Sequence, residues 1–261
     1  METAGTNTGA MPRLTETAAL ATQPSKSAPF FRRRTIWWPT LLGWAALLAC
    51  ATAAGSAWCL WGEGFLSLTE RRPADVLVIE GWIGADGIRA AKGEFDNGGY
   101  LYAVATSGQT GDQWDSKRWS YAREAEEKLL RLGVPRGRLI LAEPRRMEIR
   151  RTFESALAVS GELSARGIRP QAIVVFTRGP HARRSRLVFA KVFSRATEVG
   201  VVAWTPPGYA REPWWHSSER AGDFIKESVG WVFEVVLNSG RLSNSPTPEE
   251  GSGSPALMQS P

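Results

Sequence analysis

From Ile36 to Trp61 the chain carries no charged residue, a run of about 26 positions. No other feature of the 261 residues constrains the fold as strongly. At about 1.5 Å per residue, a helix of that length crosses a hydrocarbon core of about 30 Å with some tilt. Trp37 and Trp38 lie at one end, Trp58 and Trp61 at the other. That is the aromatic belt expected at two membrane interfaces. Pro39 falls in the first turn, where a helix tolerates it. A soluble-core helix this long would carry a polar face, and this segment has none. Two processed alternatives stay open. Ala54-Gly55-Ser56-Ala57 has the small residues of a signal cleavage site, and Leu47-Leu48-Ala49-Cys50 has the outline of a lipoprotein box. The leader of about 34 residues and the length of the run favour an uncleaved anchor, with the bilayer as partner of Ile36–Trp61.

Charge sets the expected orientation. Arg32, Arg33 and Arg34 precede the run, whereas the other side opens with Glu63 and reaches its first cations at Arg71 and Arg72. The positive-inside rule then places the N-terminus in the cytoplasm and the following domain outside. The formal charge of +6 is modest, and the three arginines supply part of it. With no zinc-ligand set, RNA-binding motif or Lys-rich arm, no nucleic-acid partner is expected. Both cysteines, Cys50 and Cys59, lie in the apolar run. The rest of the chain therefore has no disulfide, thiolate metal site or Cys nucleophile. Scattered carboxylates could hold Mg²⁺, but no ligand spacing argues for it, and metal dependence stays open.

Residues 1–34 and 241–261 are rich in Ser, Thr, Pro, Gly and Ala and lack hydrophobic periodicity. They read as disordered tails, because such segments cannot bury enough apolar surface to offset chain entropy. Residues 35–62 form the transmembrane segment and residues 63–240 one folded domain. In that domain short apolar runs alternate with amphipathic segments. The runs are Val76–Ile79, Tyr102–Thr106, Leu139–Leu141, Ala172–Phe176 and Val199–Ala203. Helical spacing follows each of them, from about Ile88, Trp119, Thr152 and His181, and in a final long helix over about 213–237. Strands without polar alternation, separated by such helices, predict a doubly wound α/β domain with a mainly parallel five-stranded sheet.

In open parallel sheets, ligands bind at the carboxyl ends of the strands. That rule selects Glu80-Gly81-Trp82, the Thr106–Gly111 turn, Glu143, and Thr177-Arg178-Gly179-Pro180-His181, with Arg150-Arg151-Thr152 opening a helix. Amides at Ser107 and Gly108 could cradle an anion, although no Lys follows at P-loop spacing. The string His181-Ala182-Arg183-Arg184-Ser185-Arg186 opens another helix. Helical geometry puts His181 over the buried face, Arg184 and Arg186 on either side, and Arg183 outward into solvent. Arginine is unfavourable at a helix N-terminus, where the macrodipole is already positive. An anionic ligand would account for Arg184 and Arg186. So would a structural salt bridge from Arg184 to Glu80, Glu143 or Glu154. His181 is one of two histidines and the candidate acid–base. Glu80 or Glu154 is its candidate carboxylate partner. His216, beside Trp214 and Trp215, is the weaker candidate.

Taken in order, several segments resemble the envelope family that includes YdcF, SanA and ElyC. They are Glu80-Gly81-Trp82, Thr106-Ser107-Gly108, Glu124-Ala125 followed by Leu132-Gly133-Val134-Pro135, Thr152-Phe153-Glu154-Ser155-Ala156, and Thr177 through His181 to Arg184. The resemblance runs over about Asp75–Leu237. It implies a Rossmann-like three-layer domain, often tethered to the membrane and facing the periplasm. It also implies a link to peptidoglycan or lipid-carrier metabolism, and for some members an S-adenosylmethionine-like cofactor. The chain departs from the family pattern at Glu80, where Gly is common, and at Arg151 and Ser155, where Asn is common. The expectation is a membrane-anchored envelope protein that binds or processes a phosphorylated metabolite. His181, Glu80 and Glu154 would be catalytic, and Ser107, Gly108, Thr152, Thr177, Arg184 and Arg186 would hold the anion. A non-catalytic factor that binds a partner protein and an S-adenosylmethionine-binding protein are the alternatives.

Overall fold

The computed structural model describes residues 38–110, 119–144, 151–193, 197–209 and 212–237. The two expected tails, Ile36, Trp37, Gly111 and Arg150 lie outside these residues. The chain divides into two compact units, residues 1–48 and 49–261. Helix α1 (Leu41–Leu66) is long and apolar enough to cross a membrane, and none of its most apolar window is buried. It ends five residues later than the uncharged run. The extra turn is amphipathic, since Gly62 and Leu66 are buried. The expected boundary at residue 62 therefore falls inside a continuous helix.

Five parallel strands follow: β1 (Val76–Glu80), β2 (Tyr102–Thr106), β5 (Leu139–Ala142), β6 (Ala172–Arg178) and β7 (Glu198–Trp204). Their order in the sheet is β5-β2-β1-β6-β7. All are parallel, with Val76 opposite Tyr102 on one side and Ile173 on the other. Helices α2 (Gly84–Asn97) and α3 (Tyr121–Arg131) cover one face, and α4 (Arg151–Ala165) and α5 (His181–Val192) the other. Strand residues divide between the faces by the period of two. Leu77 and Ile79 meet Ile88, Phe95 and Leu129, while Val76 and Val78 meet Val159, Leu163 and Phe189. The fold is the Rossmann-like three-layer α/β sandwich expected from the pattern.

Two elements were not foreseen. A two-stranded antiparallel hairpin, β3 (Gln109–Thr110) with β4 (Trp119–Ser120), stands between β2 and α3. The final segment opens as a 3-10 turn at Trp214–His216, and α6 (Ser218–Val236) begins only after Ser217. Local chemistry sets that start, because the Ser217 hydroxyl accepts from the Arg220 amide at 3.4 Å and so caps the helix. Ser120 caps α3 in the same way, at 3.3 Å from the Arg123 amide. The free edge of β7 is covered at one point by an antiparallel bridge from Glu70 to Val201. Gly200 permits that approach, since a Cβ there would lie 2.7 Å from the Glu70 carbonyl oxygen.

Strand order fixes where a ligand can sit. The chain runs outward from β1 to β2 and β5, then returns to lay β6 on the other side of β1. The switch point is the crevice beyond the carboxyl ends of β1 and β6. Glu80 ends β1 there, and Gly81 carries the chain tightly under α3. A Cβ at Gly81 would stand 2.3 Å from the Tyr121 carbonyl oxygen. Backbone cannot give way as a flexible side chain can. Gly81→Ala is expected to destabilise the protein by about 1–3 kcal/mol, read from denaturant unfolding of the detergent-solubilised full chain. Gly93→Ala, in open space on α2, should be neutral or stabilising in the same assay.

Candidate functional site

Glu80 is the centre of the site. Its carboxylate is buried at the end of the central strand. Burial without partners would be costly, and four donors surround it. The Thr177 hydroxyl donates to Oε2, and Ser185 Oγ donates to Oε1 at 3.1 Å. Trp82 Nε1 donates to Oε2 at 3.2 Å, and His181 Nε2 lies 3.3 Å from the same oxygen. The elements explain this convergence. Thr177 comes from β6, next to β1 in the sheet. Gly179, at φ +45°, turns the chain so that α5 starts at His181. One helical turn later Ser185 lies on the same inward face.

The other ring nitrogen of His181 faces α6. Nδ1 is 3.0 Å from Glu227 Oε1 and also 3.0 Å from Arg184 Nη2. Nδ1 donates to the first only when it carries a proton and accepts from the second only when it does not, and donating to Glu227 and Glu80 together takes both ring protons. Burial pushes the imidazole pKa down. The Glu80 and Glu227 carboxylates outweigh burial and the opposing Arg184, so the net direction is up. Burial pushes the Glu227 carboxyl up, but His181 and Arg184 hold it well below the usual carboxylate range. Glu80 is lowered likewise, burial being outweighed by His181 and the Thr177 and Ser185 hydroxyls. The arrangement is therefore an imidazolium between two carboxylates. Arg184 closes it, with Nε 2.6 Å from Glu227 Oε2 and Nη2 3.1 Å from Oε1. Two negative and two positive charges balance, which makes burial of all four tolerable. Trp82 lies edge-on to the His181 ring at 5.1 Å and shields the cluster.

The sequence-selected residues separate into those this network gathers and those it does not. Glu80, Thr177, His181 and Arg184 are in it. Thr152 touches it, because Arg184 Nη1 donates to its hydroxyl at 3.3 Å. Ser107 is buried at the end of β2, and Gly108 faces the Arg151 side chain at the start of α4. Glu154 makes no hydrogen bond or ion pair among the described residues, so the second carboxylate on His181 is Glu227. Arg186 turns away, with Nε 3.0 Å from Glu70 and 3.0 Å from the Val199 carbonyl oxygen. Glu143 is held by Arg123 and Ser120 beside α3. Arg183 is not simply solvated. It donates to the Phe65 carbonyl at 2.5 Å and lies 3.7 Å over the Phe65 ring, at the end of α1. Each arginine of the string thus has a partner within the chain.

Glu227 is the residue that sequence reasoning missed. Its signal was the spacing Arg220, Phe224, Glu227, Trp231, Glu234, a stripe at alternating steps of four and three. Such a stripe marks one face of a helix. The face holds two carboxylates, so a search for apolar positions passes over it. One more group belongs to the site. Thr106 Oγ1 is buried and has no hydrogen-bond partner among the described residues. Thr106 pairs with Glu80 across the sheet. A cavity of about 180 Å³ lies nearby, lined by Glu63, Arg178, Tyr209, Arg220 and Asp223. It is smaller than the usual ligand pocket of about 300–1,000 Å³. Its charges are paired, Arg178 with Asp223 at 2.5 Å and Arg220 with Glu63 at 2.7 Å. Among the described residues no cluster of His, Cys, Asp and Glu is placed to hold a metal.

Together the fold and the buried cluster define a Rossmann-like α/β protein with one helix long and apolar enough to cross a membrane. Comparison with family models, with curated proteins and with solved structures finds no match.

The network predicts how stability depends on pH. The raised His181 pKa gives a contribution that is complete below about pH 6.5, the unfolded value. It is lost as pH rises from there through the folded value. The lowered Glu80 and Glu227 give contributions present above about pH 4.3 that are lost as pH falls through their folded values. The melting temperature of the full chain should therefore decline as pH rises from about 6.5, and His181→Asn should flatten that limb. Glu227→Gln leaves Arg184 and His181 without their shared counter-charge and should cost about 3–5 kcal/mol in denaturant unfolding.

Proposed function

We propose that this chain is a membrane-anchored envelope protein of the YdcF, SanA and ElyC kind. Its N-terminus is cytoplasmic, and its α/β domain binds a phosphorylated envelope metabolite over the carboxyl ends of β1, β2 and β6. The observation that carries the reading is the charge-balanced Glu80–His181–Glu227–Arg184 cluster at the switch point of the sheet. Apolar residues of similar volume in place of such a cluster often stabilise a fold. Its presence there fits a use other than stability.

Roles are assigned by what each group has free. Arg184 is doubly engaged by Glu227 and acts as a positioning residue, as Glu80 does. The unpartnered Thr106 hydroxyl receives anionic oxygens, together with the Ser107 and Gly108 amides after β2 and the Thr152 end of α4. His181 has both ring nitrogens engaged, by Glu80 and Glu227, so it gives a proton to a phosphate or leaving oxygen only by releasing one of those bonds. The saturation of His181 and Arg184 also favours a second reading, a non-catalytic factor in which the cluster only shapes a partner surface.

Thr106→Val separates the two. It replaces an unpartnered buried hydroxyl with a methyl of the same shape, so stability should hold or rise by about 1 kcal/mol. The assay is thermal unfolding of the full chain in detergent with a polyprenyl phosphate, a sugar phosphate or S-adenosylmethionine. A phosphorylated ligand at about 100 times its Kd should stabilise the native chain by about 2.7 kcal/mol. Thr106→Val should lose most of that gain. Stabilisation by S-adenosylmethionine alone would replace the proposed ligand class. No stabilisation by any phosphorylated compound would leave the partner-binding reading.

A further inference from the structure

Helix α6 is built inside out. Its carboxylates Glu227 and Glu234 are 3% and 6% exposed, whereas Val229 and Phe233 are 66% and 46% exposed. The outward stripe is Ile225, Val229, Val232, Phe233, Val236 and Leu237, about three turns long. From Ser228 to Leu237 every exposed side chain is apolar, and the last exposed charge before them is Lys226. A water-facing helix has the opposite pattern, and apolar patches of this extent mark a contact surface.

The neighbours of α6 say what that contact is. Its inward face packs on the last turns of α1, just where the uncharged run ends. Trp58 stacks on Trp231 at 6.4 Å and donates to Ser228 Oγ at 3.2 Å, and Phe65 meets Trp231 at 5.1 Å. Trp214 Nε1 donates to the Cys59 carbonyl at 2.8 Å, and Trp215 beside it is exposed. Tryptophans gathered at the end of an apolar span belong at the headgroup level. The apolar face of α6 is thus continuous with the point where α1 leaves its uncharged run. Residues 238–261 contain few apolar side chains with which to cover it.

We propose that α6 is a second membrane element, lying in the bilayer interface with Val229 and Phe233 turned into lipid and Lys226 at the headgroups. This rests on α1 crossing the bilayer. Buried charge and exposed valine then have one cause, since the medium outside that face is lipid.

The test uses single-cysteine versions of the full chain in phosphatidylcholine and phosphatidylglycerol vesicles. A nitroxide is placed at the native Cys50 in C59S, or at K226C, V229C or F233C in C50S/C59S. These positions are exposed, so labelling should leave the fold intact. Collision with oxygen reports lipid, and collision with a water-soluble nickel chelate reports solvent. Cys50, V229C and F233C should collide several-fold more with oxygen than with the chelate, and K226C should show the reverse. V229C and F233C open to the chelate would overturn the proposal. So would shielding of both from both reagents, which means that protein covers the face. An aqueous Cys50 would remove the span itself, and the proposal with it. None of these readings depends on a ligand at the Glu80 site.

Discussion

A carboxylate buried at the end of the central strand cannot stand alone, and this constraint organises the half of the molecule beyond the sheet. Glu80 draws four donors from three places: Thr177 on β6, Trp82 after β1, and His181 and Ser185 on α5. His181, once protonated, needs a second counter-charge, and Glu227 brings α6 to it. Glu227 in turn binds Arg184, which reaches Thr152 on α4. Four elements are thereby fixed relative to β1 by one chain of charge. Directional interactions of this kind specify an arrangement that apolar packing alone would leave degenerate.

The same helices carry a second set of contacts that joins α1 to the α/β domain. Glu63 is bidentate with Arg220 on α6, and Arg183 on α5 both caps the Phe65 carbonyl and covers its ring. Lys191 on α5 in turn holds α6, reaching the Glu234 carboxylate and main-chain carbonyl. Gly62 permits the close approach, because a Cβ there would meet Phe224 at 2.9 Å. The end of α1 is thus part of the folded domain rather than a linker to it. Arginines unfavourable at the start of α5 on macrodipole grounds are accounted for by these partners. Arg183 meets the negative end of another helix, Arg184 meets Glu227, and Arg186 meets Glu70.

The sheet and its helices were legible because their signals are local. Val76–Ile79 and Ala172–Phe176 are apolar at every position, as strands covered on both faces must be. Glu80, Thr177 and His181 were also legible, since the topology puts strand ends together and each is adjacent to one. The second carboxylate on His181 was not. Glu154 is near the start of α4 and Glu227 is well inside α6, and nothing local distinguishes them. The start of α6 was misplaced because Pro213 and Ser217 both offer a beginning, and the 3-10 turn between them is settled by the Ser217 cap. The hairpin of β3 and β4 has only two residues in each strand, too few for periodicity to register.

By itself, the sequence determined the apolar helix, the doubly wound α/β class and the location of the polar strand ends. Each depends on residue type and short-range spacing alone. Tertiary structure alone decided which second carboxylate meets His181, where the three arginines of α5 point and which face of α6 the described residues leave uncovered. Those outcomes depend on pairing between residues as far apart as 43 positions, Arg184 with Glu227, or 157, Glu63 with Arg220. The energy of a buried ion pair comes from geometry reached only after the sheet has brought its helices together. Spacing along the chain does not encode it.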